Sequence, residues 1–85
     1  MESYLCSIIL FAGNFAPRGW AFCHGQILPI AQYSAIYALL GTTYGGDGIS
    51  NFALPDLRNS TPLNAGSDST LQYIICLEGI FPSRP

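Results

Sequence analysis

The sequence contains no lysine, and its formal charges are limited to three arginines and five acidic residues among 85. Charged residues make up 9% of the chain, against about 25% in an average globular domain, while hydrophobic residues make up 49%. Three arginines cannot form the basic face that a nucleic-acid-binding protein needs. So few charges also cannot cover a free small domain, and we expect part of the surface to be buried against other subunits.

Long hydrophobic runs are absent as well. The longest apolar stretch, Tyr4 to Ala12, has nine residues and is interrupted by Ser7, whereas a membrane span needs about 20. Glu2 stands where a signal peptide would carry basic residues, and no small-residue cleavage site follows, so we expect no export by the general secretory route. The length predicts a single domain over residues 1–85.

The cysteines are few and widely spaced. Their odd number and the spacing of Cys6, Cys23 and Cys76 exclude a disulfide scaffold. We expect buried free thiols, with an intersubunit or Cys6–Cys76 disulfide as the alternative. No pair of cysteines or histidines has the spacing of zinc ligands, and we expect neither a metal nor a cofactor.

Residues for catalysis are equally scarce. His24, the one histidine, follows Cys23, but neighbouring side chains on an extended chain point to opposite faces, which favours a surface or turn histidine. Asp47, Asp56 and Glu78 are too scattered for a paired-carboxylate site. The glycine-rich segment around Asp47 has no lysine for phosphate and only one carboxylate for calcium, so we expect Asp47 to hydrogen-bond its own backbone in a tight turn. We expect no enzymatic activity.

The apolar pattern predicts a small β-rich α+β fold with one short helix and long loops. Tyr4–Phe11 contains a run of apolar residues without alternation, which favours a strand buried on both faces. The other predicted elements are a short strand at Trp20–Cys23 with Trp20 and Phe22 on one face, a helix at Gln32–Leu40 ended by Gly41, a glycine-rich loop at Gly41–Gly48, a polar linker at Asn59–Thr70 and a last strand at Leu71–Phe81.

The two ends of the chain resemble each other. Residues 8–15 align with residues 74–81, and Arg18 then aligns with Arg84. Chance is an adequate explanation for so short a match. The physical alternative is that both ends are similar strands that pair with each other or with copies in neighbouring subunits. In either case we expect the N- and C-terminal strands in one sheet.

The aromatic residues have two candidate uses. Five of them are most simply core or interface residues: Phe11, Phe15, Trp20, Phe22 and Phe52. Three tyrosines near the helix and the glycine-rich loop, Tyr33, Tyr37 and Tyr44, are candidates for a sugar-stacking or partner-binding surface, with packing as the alternative. Asp56 and Arg58 share a face of an extended segment and are expected to form a local salt bridge.

Three sequence blocks together carry a specific resemblance. They are Phe15–Gln26 (FAPRGWAFCHGQ), Leu39–Gly48 (LLGTTYGGDG) and Phe52–Arg58 (FALPDLR). In this order they resemble the phage tail collar domain, which is found in short tail fibres and in bacterial proteins described as microcystin-dependent. The resemblance covers residues 4–58. Within the predicted closing strand at 71–84, the block Tyr73–Arg84 resembles the closing strand of the same bacterial proteins.

The resemblance implies a structural module without catalytic residues. The motif positions expected to fix its loop framework are Pro17, Arg18, Gly19, Trp20, Gly45, Gly46, Asp47, Gly48, Pro55, Asp56 and Arg58. Relatives continue after the third block with a Gly-Arg pair and a long, often histidine-rich middle region. Here Asn59 and Ser60 replace the pair and about a dozen polar residues lead directly to the closing strand, as in a miniature or a truncated form.

The leading hypothesis is a self-associating subunit, with a trimer favoured, of a tail fibre or tail-like particle. Its expected partners are copies of itself and other tail or fibre proteins, with a host surface glycan as a further candidate and without nucleic acid or a membrane span. We expect assembly in the bacterial cytoplasm, followed by incorporation into a virion or an extracellular particle. The alternatives are a carbohydrate- or cell-surface-binding module and a self-assembling filament subunit.

Overall fold

A computed structural model describes residues 3–58 and 71–82 of the chain. The elements formed by these residues are β1 (Ile8–Ala12), β2 (Trp20–Phe22), β3 (Ile27–Pro29), α1 (Ser34–Leu40), β4 (Asn51–Ala53) and β5 (Leu71–Cys76). The predicted β-rich α+β class with one short helix and long loops is confirmed. The predicted polar linker at residues 59–70 and the end of the closing strand, including Arg84, lie outside the described residues.

The larger sheet has the strand order β1-β5-β2, with β5 antiparallel to both neighbours. Ile8 of β1 stands opposite Ile75 of β5, and Trp20 of β2 stands opposite Cys76. The expectation that the two ends of the chain share one sheet is therefore confirmed. β5 is shorter than the predicted strand because Leu77 turns away after its N–H donates to the carbonyl of Gly19 at 2.7 Å.

A second sheet was not predicted from the sequence. It pairs β3 with β4 in antiparallel orientation, with Leu28 opposite Phe52 and Pro29 opposite Asn51. Each strand has three residues, which is too short for an alternating pattern to be recognised. The N–H of Leu54 donates to the carbonyl of Gln26 at 3.0 Å and extends the contact beyond the strands.

Helix α1 begins two residues later than predicted. The N–H of Tyr33 donates to the carbonyls of Pro29 and Ile30, so the segment before Ser34 is a turn rather than helix. The predicted end is confirmed: Gly41 has a φ of 58°, and its N–H donates to the carbonyl of Tyr37 at 2.7 Å. Ile36 is the buried residue of the helix.

The hydrophobic core draws on both sheets and the helix. Its buried cluster is Leu5, Cys23, Ile36, Phe52, Leu54 and Ile75. Complete burial of a large apolar side chain contributes about 1.5–3 kcal/mol, so Phe52, Leu54 and Ile75, each 0% exposed, are major contributors to the stability of the fold.

Strand β1 is at the edge of its sheet, and the prediction that it is buried on both faces is wrong for the single chain. Ile8, Ile9 and Leu10 are 40%, 46% and 38% exposed. The physical reason is that, among the described residues, β1 has one neighbouring strand, β5. The sheet's residue in the core cluster comes from β5 and not from β1. The apolar run is present, but the chain covers it only in part.

The segment before β1 is a turn instead of the start of a strand. The N–H of Ser7 donates to the carbonyl of Tyr4, and Cys6 has a φ of 67°, in the left-handed region. Cys6 and Ser7 both bond to Cys76, which makes a β-bulge. All three cysteines are free thiols. Cys23 and Cys76 are buried as expected, whereas Cys6, in the turn before β1, is only partly buried. Within residues 3–58 and 71–82, no helix has the length and apolar character needed to cross a membrane.

Candidate functional site

The first sequence block is fastened to the end of β5 by Gly19. Trp20 N–H donates to the carbonyl of Pro17 at 3.0 Å and closes a turn, in which Gly19 has a φ of 83°. The Gly19 carbonyl accepts the N–H groups of Leu77 at 2.7 Å and Glu78 at 3.2 Å. Glycine allows this backbone conformation without a Cβ penalty, so the first block positions the chain as it leaves the sheet.

The second block is a loop organised by the carboxylate of Asp47. One carboxylate oxygen accepts the backbone N–H groups of Ile49 at 2.8 Å, Ser50 at 2.9 Å and Asn51 at 3.0 Å. The other accepts the Ser50 hydroxyl at 3.2 Å. These bonds, led by the one from Ile49, lower the pKa of Asp47 from 3.8 to about 2. Asp47 therefore closes a turn of its own backbone, as the sequence predicted.

Gly46 lets this loop lie against β4. Its φ is 95°, and a Cβ at this position would overlap the Cα of Phe52 and lie 2.9 Å from the carbonyl oxygen of Asn51. The neighbouring Gly45 carbonyl accepts the N–H of Ala53 at 3.1 Å. Only a residue without a side chain fits this close approach of two backbone segments.

The third block carries an exposed ion pair. The guanidinium of Arg58 donates to both carboxylate oxygens of Asp56, at 2.6 and 2.9 Å. The Arg58 side chain, followed by its backbone N–H, lowers the pKa of Asp56 to about 2. The predicted local salt bridge is thus present.

The first and third blocks are also joined to each other. Leu57 N–H donates to the carbonyl of Cys23 at 2.9 Å, and Gly25 N–H donates to the carbonyl of Pro55 at 3.2 Å. The blocks therefore form one framework, although they are distant in the sequence.

His24 belongs to this framework. Its ring nitrogen Nε2 lies 2.6 Å from the side-chain oxygen of Gln72 on β5, and its ring stacks on Phe22 with centroids 5.2 Å apart. The sequence favoured a surface or turn histidine. In the structure, the His24 ring is instead held by contacts with two other side chains. Cys23 is buried, and burial raises the pKa of its thiol to about 11. A raised pKa keeps the Cys23 thiol protonated near neutral pH, whereas a nucleophilic cysteine reacts as the thiolate.

The three tyrosines proposed as a binding surface have different environments. The Tyr37 ring packs on Phe52 with centroids 5.5 Å apart, and its hydroxyl donates to the carbonyl of Gly48 at 3.3 Å. Tyr33 packs against the core and borders a cleft of about 270 Å³ with Leu77. Tyr44 is 51% exposed. A sugar-stacking surface would therefore depend mainly on Tyr44, while the other two contribute to packing.

A larger apolar groove lies on one face of the three-stranded sheet. Its volume is about 450 Å³, and its lining includes Tyr4, Ile9, Phe11, Pro17, Trp20 and Ile74. Trp20, expected in the core or at an interface, is only partly buried at the wall of this groove. Phe15, expected in the same class, is 75% exposed. Of the five aromatics predicted to pack, Phe52 is the one that is fully buried.

The two carboxylates of the blocks are engaged within the chain. Asp47 accepts backbone N–H groups of its own loop, and Asp56 accepts the guanidinium of Arg58. No group of three histidine, cysteine or acidic residues within residues 3–58 and 71–82 is placed to hold a metal ion. The feature missed by the sequence reasoning is the exposed edge of β1, whose only signal is its apolar run without charges.

Taken together, the fold and the three joined blocks define a small β-rich domain built from fixed loops. The Phage Tail Collar Domain family matches this chain over residues 6–62, and the chain belongs to that family. None of the curated proteins compared with the chain matches it. The family is one of structural phage domains, and membership suggests a role in a phage tail fibre.

Proposed function

We propose that this chain is a non-enzymatic structural subunit of a phage tail fibre or tail-like particle, and that it works by associating with copies of itself. The observation that carries the proposal is the family match over residues 6–62. Self-association, the trimer that the resemblance implies and the partnership with other tail or fibre proteins are further steps of the proposal. So is assembly in the bacterial cytoplasm before incorporation into a particle.

The loop framework supports a scaffolding role. Gly19 binds the end of β5, Asp47 closes the second block, and Leu57 ties the third block to the first. Each of these bonds joins one part of the chain to another part of the same chain. In this proposal, the motif residues hold the framework rigid, and the surfaces around it make the contacts to other molecules.

The exposed apolar residues support self-association. Large hydrophobic side chains remain exposed around β1 and near both ends of the described chain, among them Tyr4, Ile9, Phe15, Ile80 and Phe81. With 9% charged residues, the chain has few groups to keep such a surface in water. Burial against another subunit removes this apolar surface from solvent.

The solution mass of the purified chain, measured by size-exclusion chromatography with light scattering, tests the proposal. We expect a discrete mass of several copies, with the trimer as the state that the resemblance favours. A monomer at the highest soluble concentration would contradict self-association, and the small binding module would then become the better hypothesis.

A filament subunit is a second candidate, because the unpaired edge of β1 is a surface to which another strand can add. Electron micrographs of the same sample separate the two functions. Discrete particles of uniform size agree with a fibre subunit. Long polymers of varying length agree with a filament.

A further inference from the structure

We propose that the free edge of β1 pairs with β1 of a second copy of this chain, antiparallel and about a two-fold axis at Leu10. The inference rests on the proposed self-association and names the surface that makes it. Pairing through β1 joins two copies, so an experiment can distinguish this pairing from a trimer formed through other surfaces.

The hydrogen bonds of β5 show which backbone groups of β1 point outward. Cys76 N–H donates to the carbonyl of Ser7, so the even-numbered residues of β5 bond to β1. Leu77 N–H donates to Gly19 on the other side, so the odd-numbered residues bond towards β2. By the alternation of an antiparallel ladder, Ile9 and Phe11 bond to β5.

The backbone groups of the alternate residues, Ile8, Leu10 and Ala12, then face away from the sheet. Within residues 3–58 and 71–82, no strand lies along that side of β1. Three N–H and three C=O groups are thus presented at a regular spacing of two residues.

This set of groups is self-complementary. When two copies of β1 run antiparallel with Leu10 opposite Leu10 of the second copy, Ile8 stands opposite Ala12 in both directions. Every outward N–H then meets an outward C=O, which gives six hydrogen bonds, because the ladder exchanges two at each of the three pairs. A slip of one strand by one residue would place an inward-bonded residue opposite each outward one. A slip by two residues, which moves the axis to Ile9, would keep outward groups opposite each other but would leave four of the six hydrogen bonds within β1.

The side chains of β1 also fit a second copy of themselves. Ile8 and Leu10 are exposed on one face and Ile9 on the other, so pairing buries apolar surface on both faces. No charged residue occurs between Ser3 and Pro17, so no like charges meet at the two-fold axis. β1 also lacks the lysine or proline by which proteins usually protect an exposed edge.

The groove on the sheet extends the same contact. Ile9 and Phe11 line the groove in each copy. In the proposed register, Ile9 of one copy stands opposite Phe11 of the other, at the positions where side chains approach most closely. The two grooves then become one continuous apolar surface across the axis.

The opposite edge of the sheet, β2, is partly occupied by its own chain. In β2, the N–H of Trp20 donates to the carbonyl of Pro17, and the carbonyl of Phe22 accepts the side-chain amide of Gln26 at 2.8 Å. Half of the four outward backbone groups of β2 are therefore occupied. Within residues 3–58 and 71–82, β1 is therefore the more open edge, and antiparallel pairing of β1 with β1 joins two copies. A filament would instead need β1 to add to the half-occupied β2 edge of a neighbouring copy.

A charge-exchange experiment on the full chain tests the two-fold register. The variants Leu10→Lys and Leu10→Glu are purified separately, and circular dichroism checks that each is folded. Light scattering then measures the molar mass of each variant over a range of protein concentrations. Ile49→Lys is the matched control, because Ile49 is 87% exposed in the loop that Asp47 closes.

We expect the wild type and the control to contain an even number of copies: two if β1 pairing is the one contact, or six if trimers formed through other surfaces are joined through β1. Each Leu10 variant alone has half that mass and associates at least tenfold more weakly, because like charges meet at the axis. An equimolar mixture of the two variants regains the wild-type mass, because opposite charges then meet. Ala12→Pro, which removes one outward N–H, is the second variant if the charged ones do not fold, and it is also expected to halve the mass.

Each contrary outcome is distinct. A trimer with the same mass in the wild type and in the Leu10 variants would overturn the β1 pairing while leaving the proposed function intact. Charged variants that dissociate but do not recombine on mixing would overturn the register at Leu10. A monomeric wild type would overturn both proposals.

Discussion

The loop region from Gly41 to Arg58 and the edge strand β1 differ in how far their polar groups are hydrogen-bonded within the chain. In the loop region, Asp47 accepts three backbone N–H groups and Asp56 is held by Arg58. In β1, the outward backbone groups meet no strand in the described part of the chain. The chain therefore completes its own hydrogen bonds where the motif loops are fixed, and leaves them open where a second molecule can complete them.

The two regions also give similar apolar runs opposite environments. Phe52, Ala53 and Leu54 are consecutive and buried, whereas Ile8, Ile9 and Leu10 are consecutive and exposed. The first run packs in the core cluster with Ile36 of the helix. The glycine-rich loop also covers this run, because Gly46 allows the loop to approach Phe52. The second run lies at a sheet edge. An apolar run alone thus predicts that a strand will be covered, but not which molecule covers it.

The largest expected difference between the two regions is in the free energy of unfolding that is lost when a leucine is replaced by alanine. Leu54→Ala removes a side chain that is 0% exposed, and should lower the free energy of unfolding by about 2–5 kcal/mol. Leu10→Ala, at a half-exposed site, should lower it by no more than about 1 kcal/mol in the monomer. Urea denaturation at low protein concentration measures both. Equal losses would contradict the structure, in which Leu54 belongs to the core cluster and Leu10 does not.

Alanine substitutions at Gly46 and Gly41 test whether the glycine-rich loop lies against β4. Gly46→Ala places a Cβ against the backbone of Phe52 at a φ of 95°, and should cost about 3 kcal/mol or more. Gly41→Ala meets no atom within 4 Å at a φ of 58° and a ψ of −146°, and should cost only the backbone strain, about 1–3 kcal/mol. Thermal unfolding of the two variants compares them, and a smaller loss at Gly46 would contradict the close approach.

Acid should weaken the loop region and leave the β1 contact unaffected, because β1 contains no titratable group. The pKa of Asp47 is lowered from 3.8 to about 2 in the fold, so the unfolded chain binds its proton first as the pH falls. Its contribution to stability is complete above about pH 4 and is lost towards pH 2. The urea concentration at the unfolding midpoint should fall less steeply between pH 5 and pH 2 in Asp47→Asn than in the wild type. An unchanged slope would mean that the Asp47 bonds do not contribute to stability.

The smallest expected difference is in thiol reactivity. Burial raises the pKa of both thiols, that of Cys23 to about 11. Cys23 is buried within the framework, whereas Cys6 precedes β1 and is only partly buried. Alkylation of the native protein near neutral pH, followed by peptide mass spectrometry, should modify Cys6 before Cys23, because reaction requires an accessible thiolate. Modification of Cys23 first would show that the framework opens more readily than the structure indicates.

The local features of the site were predictable from the sequence. Asp47 follows two glycines and precedes another, so its backbone-bonded turn follows from short-range chemistry, as does the Asp56–Arg58 pair. The end of the helix at Gly41 follows from the conformational freedom of glycine. The three motif blocks gave the family directly, since their combination is specific.

The long-range features were not predictable from local patterns. β3 and β4 have three residues each, and their pairing depends on the loop between them folding back. The contact of His24 with Gln72 joins residues 48 positions apart. The exposure of β1 depends on the strand order, which places β5 in the centre although it is last in the chain. An apolar run does not encode that position.

Amide hydrogen exchange in β1, followed by NMR at two protein concentrations, tests most directly whether this edge is used for association. At a concentration where light scattering shows the smaller species, Ile9 and Phe11 should exchange slowly and Leu10 and Ala12 quickly. At a concentration where the larger species forms, all four should be protected. If Leu10 stays unprotected in the associated protein, or is protected already in the smaller species, the account of a free edge completed by a second copy is wrong.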